Sequence, residues 1–194
     1  MTGEKKSAAS SRKPRADSER NRRRLLDAAT AAFAAVGPSV SLEEIARRAG
    51  VGIGTLYRHF PERDALLAEV YRDALRQLAD AAPRLAAEHP PVEALRCWLR
   101  VFVDFLATKK VIAPALEGMA GGTSELYAGS LTAIRTALSL LVDRGVASGE
   151  IRIDIDPLDL LWAVAGVVMP EAGPNRRDTA YQVIDIILAG LKAR

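Results

Sequence analysis

The chain of 194 residues has one cysteine, Cys97, and two histidines, His59 and His89. A single thiol closes no disulfide within the chain, which fits a reducing compartment. No Cys/His/Asp cluster has metal-ligand spacing, and neither a nucleophile elbow nor a phosphate-cradling loop is present. One histidine precedes Pro90-Pro91 at an expected helix end, and the other falls in the motif described below. Catalysis is therefore not expected, and no cofactor or metal is implied. The longest apolar run, residues 160–169, is about half the length a membrane-spanning helix needs. The N-terminus is polar and basic, without the apolar segment of a signal peptide. The expected location is the cytoplasm, at the nucleoid if the chain binds DNA.

What the chain has is charge, unevenly placed. Residues 1–63 hold 13 Lys and Arg against 7 Asp and Glu, a net of +6, while the remainder holds 14 against 17, a net of −3. A basic end on an otherwise acidic chain is what a single DNA-facing surface produces. Part of the excess lies in residues 1–16, rich in Ser, Lys, Arg and Ala without apolar periodicity. That stretch reads as a disordered basic tail, solvated or adding nonspecific attraction to phosphates. Asp17 or Ser18 can cap a first helix carrying Leu25, Leu26, Ala29 and Phe33 at helical spacing. Gly37-Pro38 ends it. Arg22, Arg23 and Arg24 near its start either touch phosphates or form a solvated face.

Residues 41–60, SLEEIARRAGVGIGTLYRHF, read as two short helices joined by a glycine turn. Ser41 and Glu44 have capping-box spacing. Ile45, Ala46 and Ala49 make a small apolar face, and Gly50 can take the left-handed conformation that ends the first helix. On a helical wheel of residues 53–60, Leu56, Phe60 and Ile53 share one arc with Tyr57 at its edge. Gly54, Arg58, Thr55 and His59 fill the opposite arc. The first arc calls for a core. The second offers guanidinium, hydroxyl and imidazole groups suited to phosphates and base edges. Gly54 costs a helix up to about 1 kcal/mol relative to alanine, and close approach of the backbone to DNA is one reason to keep it. This is the build of a helix-turn-helix, whose second helix enters the major groove.

I-A-x-x-A-G-V followed by G-T-L-Y-x-H-F resembles the signature of the tetracycline-repressor (TetR) family, over residues 17–67 most clearly. The resemblance implies an all-α, homodimeric bacterial transcription regulator of about nine helices. Its parts would be a helix-turn-helix domain over residues 17–62 and an effector-binding and dimerisation domain over residues 63–194. With the wheel, it assigns DNA contact to Ser41, Gly52, Ile53, Gly54, Thr55, Tyr57, Arg58, His59 and Arg63. Arg63 matches a basic residue that grips phosphate in the family. One departure is Gly52, where many members carry serine. Glycine still caps acceptably, but the hydroxyl is absent.

Further along, Pro61 suits a helix start, and a helix with Leu66, Leu67, Val70, Leu75 and Leu78 links the two halves, with Pro83 expected to bend or break it. After Pro90-Pro91 comes a helix with a wide apolar arc, then a short apolar piece broken at Pro114 and a flexible glycine stretch. A long helix follows from Thr123 or Ser124 through Val142. The I-R-I-D-I-D run of residues 151–156 alternates like a strand, but nothing nearby offers it a partner. Asp156-Pro157 opens the first of two apolar closing helices.

Those two helices carry Leu160, Leu161, Val164, Val167 and Val168, then Val183, Ile184, Ile187, Leu188 and Leu191, more apolar surface than a hairpin of helices hides alone. The resemblance makes this the dimer interface. A two-fold dimer reads two half-sites of a palindromic double-stranded operator about 34–36 Å apart, or a multiple of that. The resemblance also implies a pocket for a small effector, for which the large residues Trp98, Phe102, Phe105, Met119, Tyr127, Trp162 and Met169 and the polar Glu117 are the candidates. Ordinary core packing is the competing reading of each, since pockets and cores share a composition. Few charges cluster there, which favours an apolar effector. The rival to a ligand-released repressor is a DNA-binding or architectural protein with no small-molecule ligand.

Overall fold

The computed structural model describes residues 8–117, 124–168 and 176–192. The described residues hold nine helical segments, one of them a single turn, and no strand. The chain divides after Val70 into two compact units. The boundary expected from the sequence, between Glu62 and Arg63, instead begins a helix that continues across the division.

The first unit comprises α1 (Ala8–Val36), α2 (Leu42–Ala49), α3 (Ile53–His59) and the start of α4 (Arg63–Glu88). Its core is Leu25, Leu26, Ala29 and Phe33 of α1, Ile45, Ala46 and Ala49 of α2, and Leu56 and Phe60 at α3, all buried. Contrary to the expected tail over residues 1–16, α1 begins at Ala8. The buried C-terminal half of α1 supplies the costly nucleus from which the helix extends. Residues 1–7 lie outside the described part. Gly37, at φ 98°, closes α1 with its amide on the Phe33 carbonyl at 2.8 Å.

Half of the capping box forms. The Glu44 amide donates to Ser41 Oγ at 3.2 Å, but the Glu44 carboxylate turns to Arg47 and Arg48, each at 2.7 Å. These two guanidinium hydrogen bonds bring the Glu44 carboxyl down to about 2. Gly50 takes the left-handed conformation at φ 63°, and the Val51 amide reaches back to the Ala46 carbonyl at 3.1 Å. This sharp stop sets the angle between α2 and α3.

In the second unit the remainder of α4 is followed by α5 (Pro91–Glu117), α6 (Ser124–Tyr127), α7 (Ser130–Ala147), α8 (Pro157–Val168) and α9 (Arg176–Leu191). The apolar α5 packs against α7, α8 and α9. Trp98 is fully buried, and its indole N–H donates to the Leu78 carbonyl of α4 at 2.9 Å. Two expected breaks do not occur: α4 runs through Pro83 and α5 through Pro114. A proline inside a helix costs about 3 kcal/mol. Burial of Leu78, Ala82 and Leu85 around the first, and of Ile112 and Leu116 around the second, offsets that cost. A break that was not expected occurs at Gly129, φ 77°, which splits the long helix of the sequence reading into α6 and α7. The I-R-I-D run forms a single bridge, Ile151 with Lys192 beyond α9, and the Arg152 amide donates to the Leu191 carbonyl at 2.8 Å. Asp156 caps α8, accepting from the Leu158 amide at 2.9 Å.

Candidate nucleic-acid interface and ligand cavity

The short helix α3 is held from beneath by Leu56 and Phe60, both buried. Its outward side is Gly52, Ile53, Gly54, Tyr57 and Arg58, exposed, with Thr55 and His59 half-buried at its margins. Ile53 differs from the wheel, which grouped it with the core. As the first residue of α3 it has no preceding turn to lean on, and it stands exposed. Tyr57 is 45% exposed. Arg58 Nη2 donates to Thr55 Oγ1 at 3.2 Å, so one turn of α3 presents a guanidinium and a hydroxyl side by side. Gly52 caps α3 with backbone alone, its carbonyl accepting from the Thr55 amide at 2.9 Å. A Cβ built at Gly52 or Gly54 meets no atom within 4 Å. The fold itself therefore does not require glycine at either position. Burial, with help from the Arg58 and Arg22 charges, holds the His59 imidazole below its ordinary value. Ser41 is exposed at the start of α2, its oxygen engaged in the cap.

Arg63 departs from the phosphate-gripping role. Its guanidinium is part-buried and donates to the Pro38 carbonyl at 2.6 Å and to the Val40 carbonyl. It fastens the loop between α1 and α2 to the head of α4. Three arginines of α1 are likewise engaged within the unit. Arg22 pairs with Glu69 at 2.8 Å and lies over the Phe60 ring, Arg23 pairs with Asp27 at 3.0 Å, and Arg24 reaches the Gly50 carbonyl at 3.3 Å. Composition shows how many cations this end has. Only the fold shows which of them point outward.

The second unit contains a cavity of about 250 Å³. Phe102, Phe105, Tyr127 and Trp162, all expected at a pocket, line it. Trp98 does not; it stacks behind Phe102 with ring centroids 6.1 Å apart. Glu117 is exposed and is not at the wall. Met119 and Met169 lie outside the described residues. Three polar lining residues were not foreseen: Tyr71, Lys109 and Ser130. Tyr71 and Ser130 are buried and hydrogen-bonded to each other at 3.0 Å. The apolar periodicity around Tyr71 was a usable signal; for Lys109 and Ser130 there was none.

The apolar surplus of α8 and α9 is mostly absorbed within the unit. Leu160, Leu161, Val164, Val168, Ile184 and Leu188 are buried in the chain's own core, and Leu161 faces the cavity. They are therefore not free to cover a partner, because each helix turns these positions inward against α5 and the other. Val167, Val183, Ile187 and Leu191 remain partly exposed. The large apolar groups standing out are Trp162, 63% exposed, and Ile186, 71% exposed.

Comparison with known proteins agrees with this architecture in both units. Residues 25–70 match the model for bacterial regulatory proteins of the tetR family. Residues 90–193 match the model for the C-terminal domain of SbtR-like transcriptional regulators. A TetR transcriptional regulator of Streptomyces coelicolor of known structure is 42% identical, with a TM-score of 0.81 over 89% of this chain and 98% of that one. A TetR regulatory protein of Mycobacterium vanbaalenii is 35% identical, with a TM-score of 0.76 over 92% and 99%. An uncharacterised HTH-type transcriptional regulator of Mycobacterium tuberculosis is 31% identical over 124 residues, 59% of this chain; the match spans 61% of that relative's length.

Proposed function

Because the chain belongs to the TetR family of bacterial transcriptional regulators, whose fold and role are those of DNA-binding regulators and not enzymes, we propose that it is a repressor released from a palindromic operator by a small molecule. The observation that carries the DNA half is the outward side of α3, where Arg58 and Thr55 stand beside two glycines with open space over them. In this reading α3 enters the major groove, with Arg58 taking base edges. Thr55, Tyr57, His59 and Ser41 meet phosphate or the groove wall, and the backbone at Gly52, Ile53 and Gly54 approaches closely. Two copies related by a two-fold axis place two such helices on half-sites about 34–36 Å apart. Trp162 and Ile186, with the partly exposed Val167, Val183, Ile187 and Leu191, form the surface between them.

The cavity supports the effector half. The cavity is half-open, about 250 Å³, and walled by aromatic and aliphatic side chains, the kind of concave apolar surface that a small ligand covers. Occupancy acts only through differential affinity for the DNA-bound and released arrangements, typically 1–3 kcal/mol of coupling, or about 5- to 150-fold in operator affinity. The helix α4 is the element through which that difference passes.

Selection of bound sequences from random duplexes tests the reading. An inverted repeat is expected, and Arg58→Ala should relax preference at particular base pairs, each worth about 1–3 kcal/mol. A uniform fall in affinity on all sequences removes the base-reading role of Arg58. A monomer that still binds the selected sequence tightly at micromolar concentration removes the dimer.

A further inference from the structure

The polar groups at the cavity are few, and they are not equivalent. The Tyr71 hydroxyl donates to Ser130 Oγ at 3.0 Å, so these two answer one another. The Tyr127 hydroxyl is buried and has no hydrogen-bond partner among the described residues. Buried hydroxyls are nearly always paired, and packing alone gives no reason for this exception. The Tyr127 ring meets Tyr71 edge-on, with centroids 5.0 Å apart, and Lys109 Nζ lies 4.8 Å from its centroid. Both Tyr127 and Lys109 line the cavity. No carboxylate among the described side chains forms an ion pair with Lys109. Burial, reinforced by Tyr71 and Glu117, raises the Tyr127 phenol above its ordinary value, so at neutral pH it keeps its proton.

A phenol that keeps its proton can donate, and an ammonium can only donate. Together they call for an acceptor, and Lys109 favours one bearing negative charge against the opposing charge of Glu117. The rest of the wall is aromatic and aliphatic, Phe102, Phe105, Leu161 and Trp162 among it. A second charged group on the ligand would be stranded against that wall. Size sets a further limit. Benzene fills an engineered cavity of about 150 Å³, so 250 Å³ takes a molecule of about ten non-hydrogen atoms. We infer that the cavity binds a compact monocarboxylic acid with an otherwise apolar body, the Tyr127 hydroxyl donating to a carboxylate oxygen and the Lys109 ammonium balancing its charge. This inference rests on the reading of the cavity as an effector site and specifies its chemistry.

Phenylacetate, with about ten non-hydrogen atoms, is the probe, against its neutral amide and ethylbenzene, by calorimetry on the full chain at neutral pH. The carboxylate should bind at least about tenfold tighter than either neutral molecule, because a charge-assisted hydrogen bond is roughly twice as strong as a neutral one. Tyr127→Phe and Lys109→Met should each weaken phenylacetate binding about tenfold or more. Without ligand, Tyr127→Phe should melt no lower than the parent chain, since the hydroxyl it removes bonds nothing among the described residues. Equal binding of the amide or of ethylbenzene, or full phenylacetate affinity in Tyr127→Phe, overturns the acid and leaves the cavity as an effector site. No binding by any of the three probes at millimolar concentration overturns both. Selective binding of phenylacetate without release of operator DNA supports the acid and removes the release mechanism.

Discussion

Gly54→Ala should make the protein more stable and a worse DNA binder. Gly54 is the second residue of α3, and its φ is not in the left-handed region. A Cβ there meets nothing within 4 Å, whereas a Cβ at Gly145 would lie 2.3 Å from Ile151 Cδ1. The two glycines thus have different causes. Gly145 is required by the packing of its own chain, and Gly54 is not. Replacing a glycine by alanine where the backbone permits it stabilises by about 0.4–1 kcal/mol, chiefly by restricting the unfolded chain. Because Gly54 sits in the first turn, the lower part of that range applies, about 0.5 kcal/mol. For a chain of this size that raises the melting temperature by about 1–2 °C. On DNA the added methyl occupies the space into which the duplex comes. Overfilling a close-packed contact costs about 1–3 kcal/mol, or about 5- to 150-fold in affinity per recognition helix, and a two-fold dimer incurs it twice.

The assay pairs calorimetric melting of the free protein with fluorescence anisotropy on a selected operator and on random duplex. The expected result is a higher melting temperature with weaker binding, the loss being larger on the operator than on random DNA. A lower melting temperature would show that α3 needs the glycine for its own folding. Unchanged operator affinity would show that DNA does not come close to Gly54. Either result refutes the reasoning.

Three further outcomes follow from geometry. Arg63→Ala leaves two loop carbonyls without their charged donor and should cost about 2 kcal/mol in urea unfolding, with the salt slope of DNA binding unchanged. A slope reduced by about one unit would restore Arg63 to the phosphates. His59 is held below its ordinary 6.5, first by burial and then by Arg58 and Arg22, so between 6.5 and its lower folded value the unfolded chain binds more protons. Stability should therefore fall as pH drops through that window, and His59→Gln should flatten the fall in denaturation curves; stability that rises on acidification in that window, and no longer does so in His59→Gln, refutes this. Ile186→Asp, at an exposed position, should leave the circular dichroism spectrum intact and sediment as a monomer at micromolar concentration; a persistent dimer moves the interface elsewhere.

The helices were legible because they depend on period and on punctuation. Leu25, Ala29 and Phe33 at helical spacing, the Gly50 stop and the Asp156-Pro157 start each act through local backbone physics, and each does in the fold what its local sequence predicts. Misjudged features depend on what lies across a gap in sequence. Pro83 and Pro114 break isolated helices, but here tertiary burial on both sides outweighs the local cost. Arg63 reads as a surface cation, and only the loop carbonyls 23 and 25 residues away reveal that it is a clasp.

The closing helices show the same limit from the apolar side. Periodicity could say that α8 and α9 carry more apolar surface than one hairpin hides, but not which residues α5 would cover. Most of the named residues lie under α5, leaving Trp162 and Ile186 as the large exposed groups. Trp162 also lines the cavity. In the sequence it was assigned to the pocket and its neighbour Leu161 to the interface; in the fold Leu161 faces the cavity and Trp162 meets both the cavity and the surface. A side chain shared in this way would carry a change in the cavity directly to the outer face of α8, with no long relay through the core. A residue's role here follows from the surfaces it separates, and those exist only once the chain has folded.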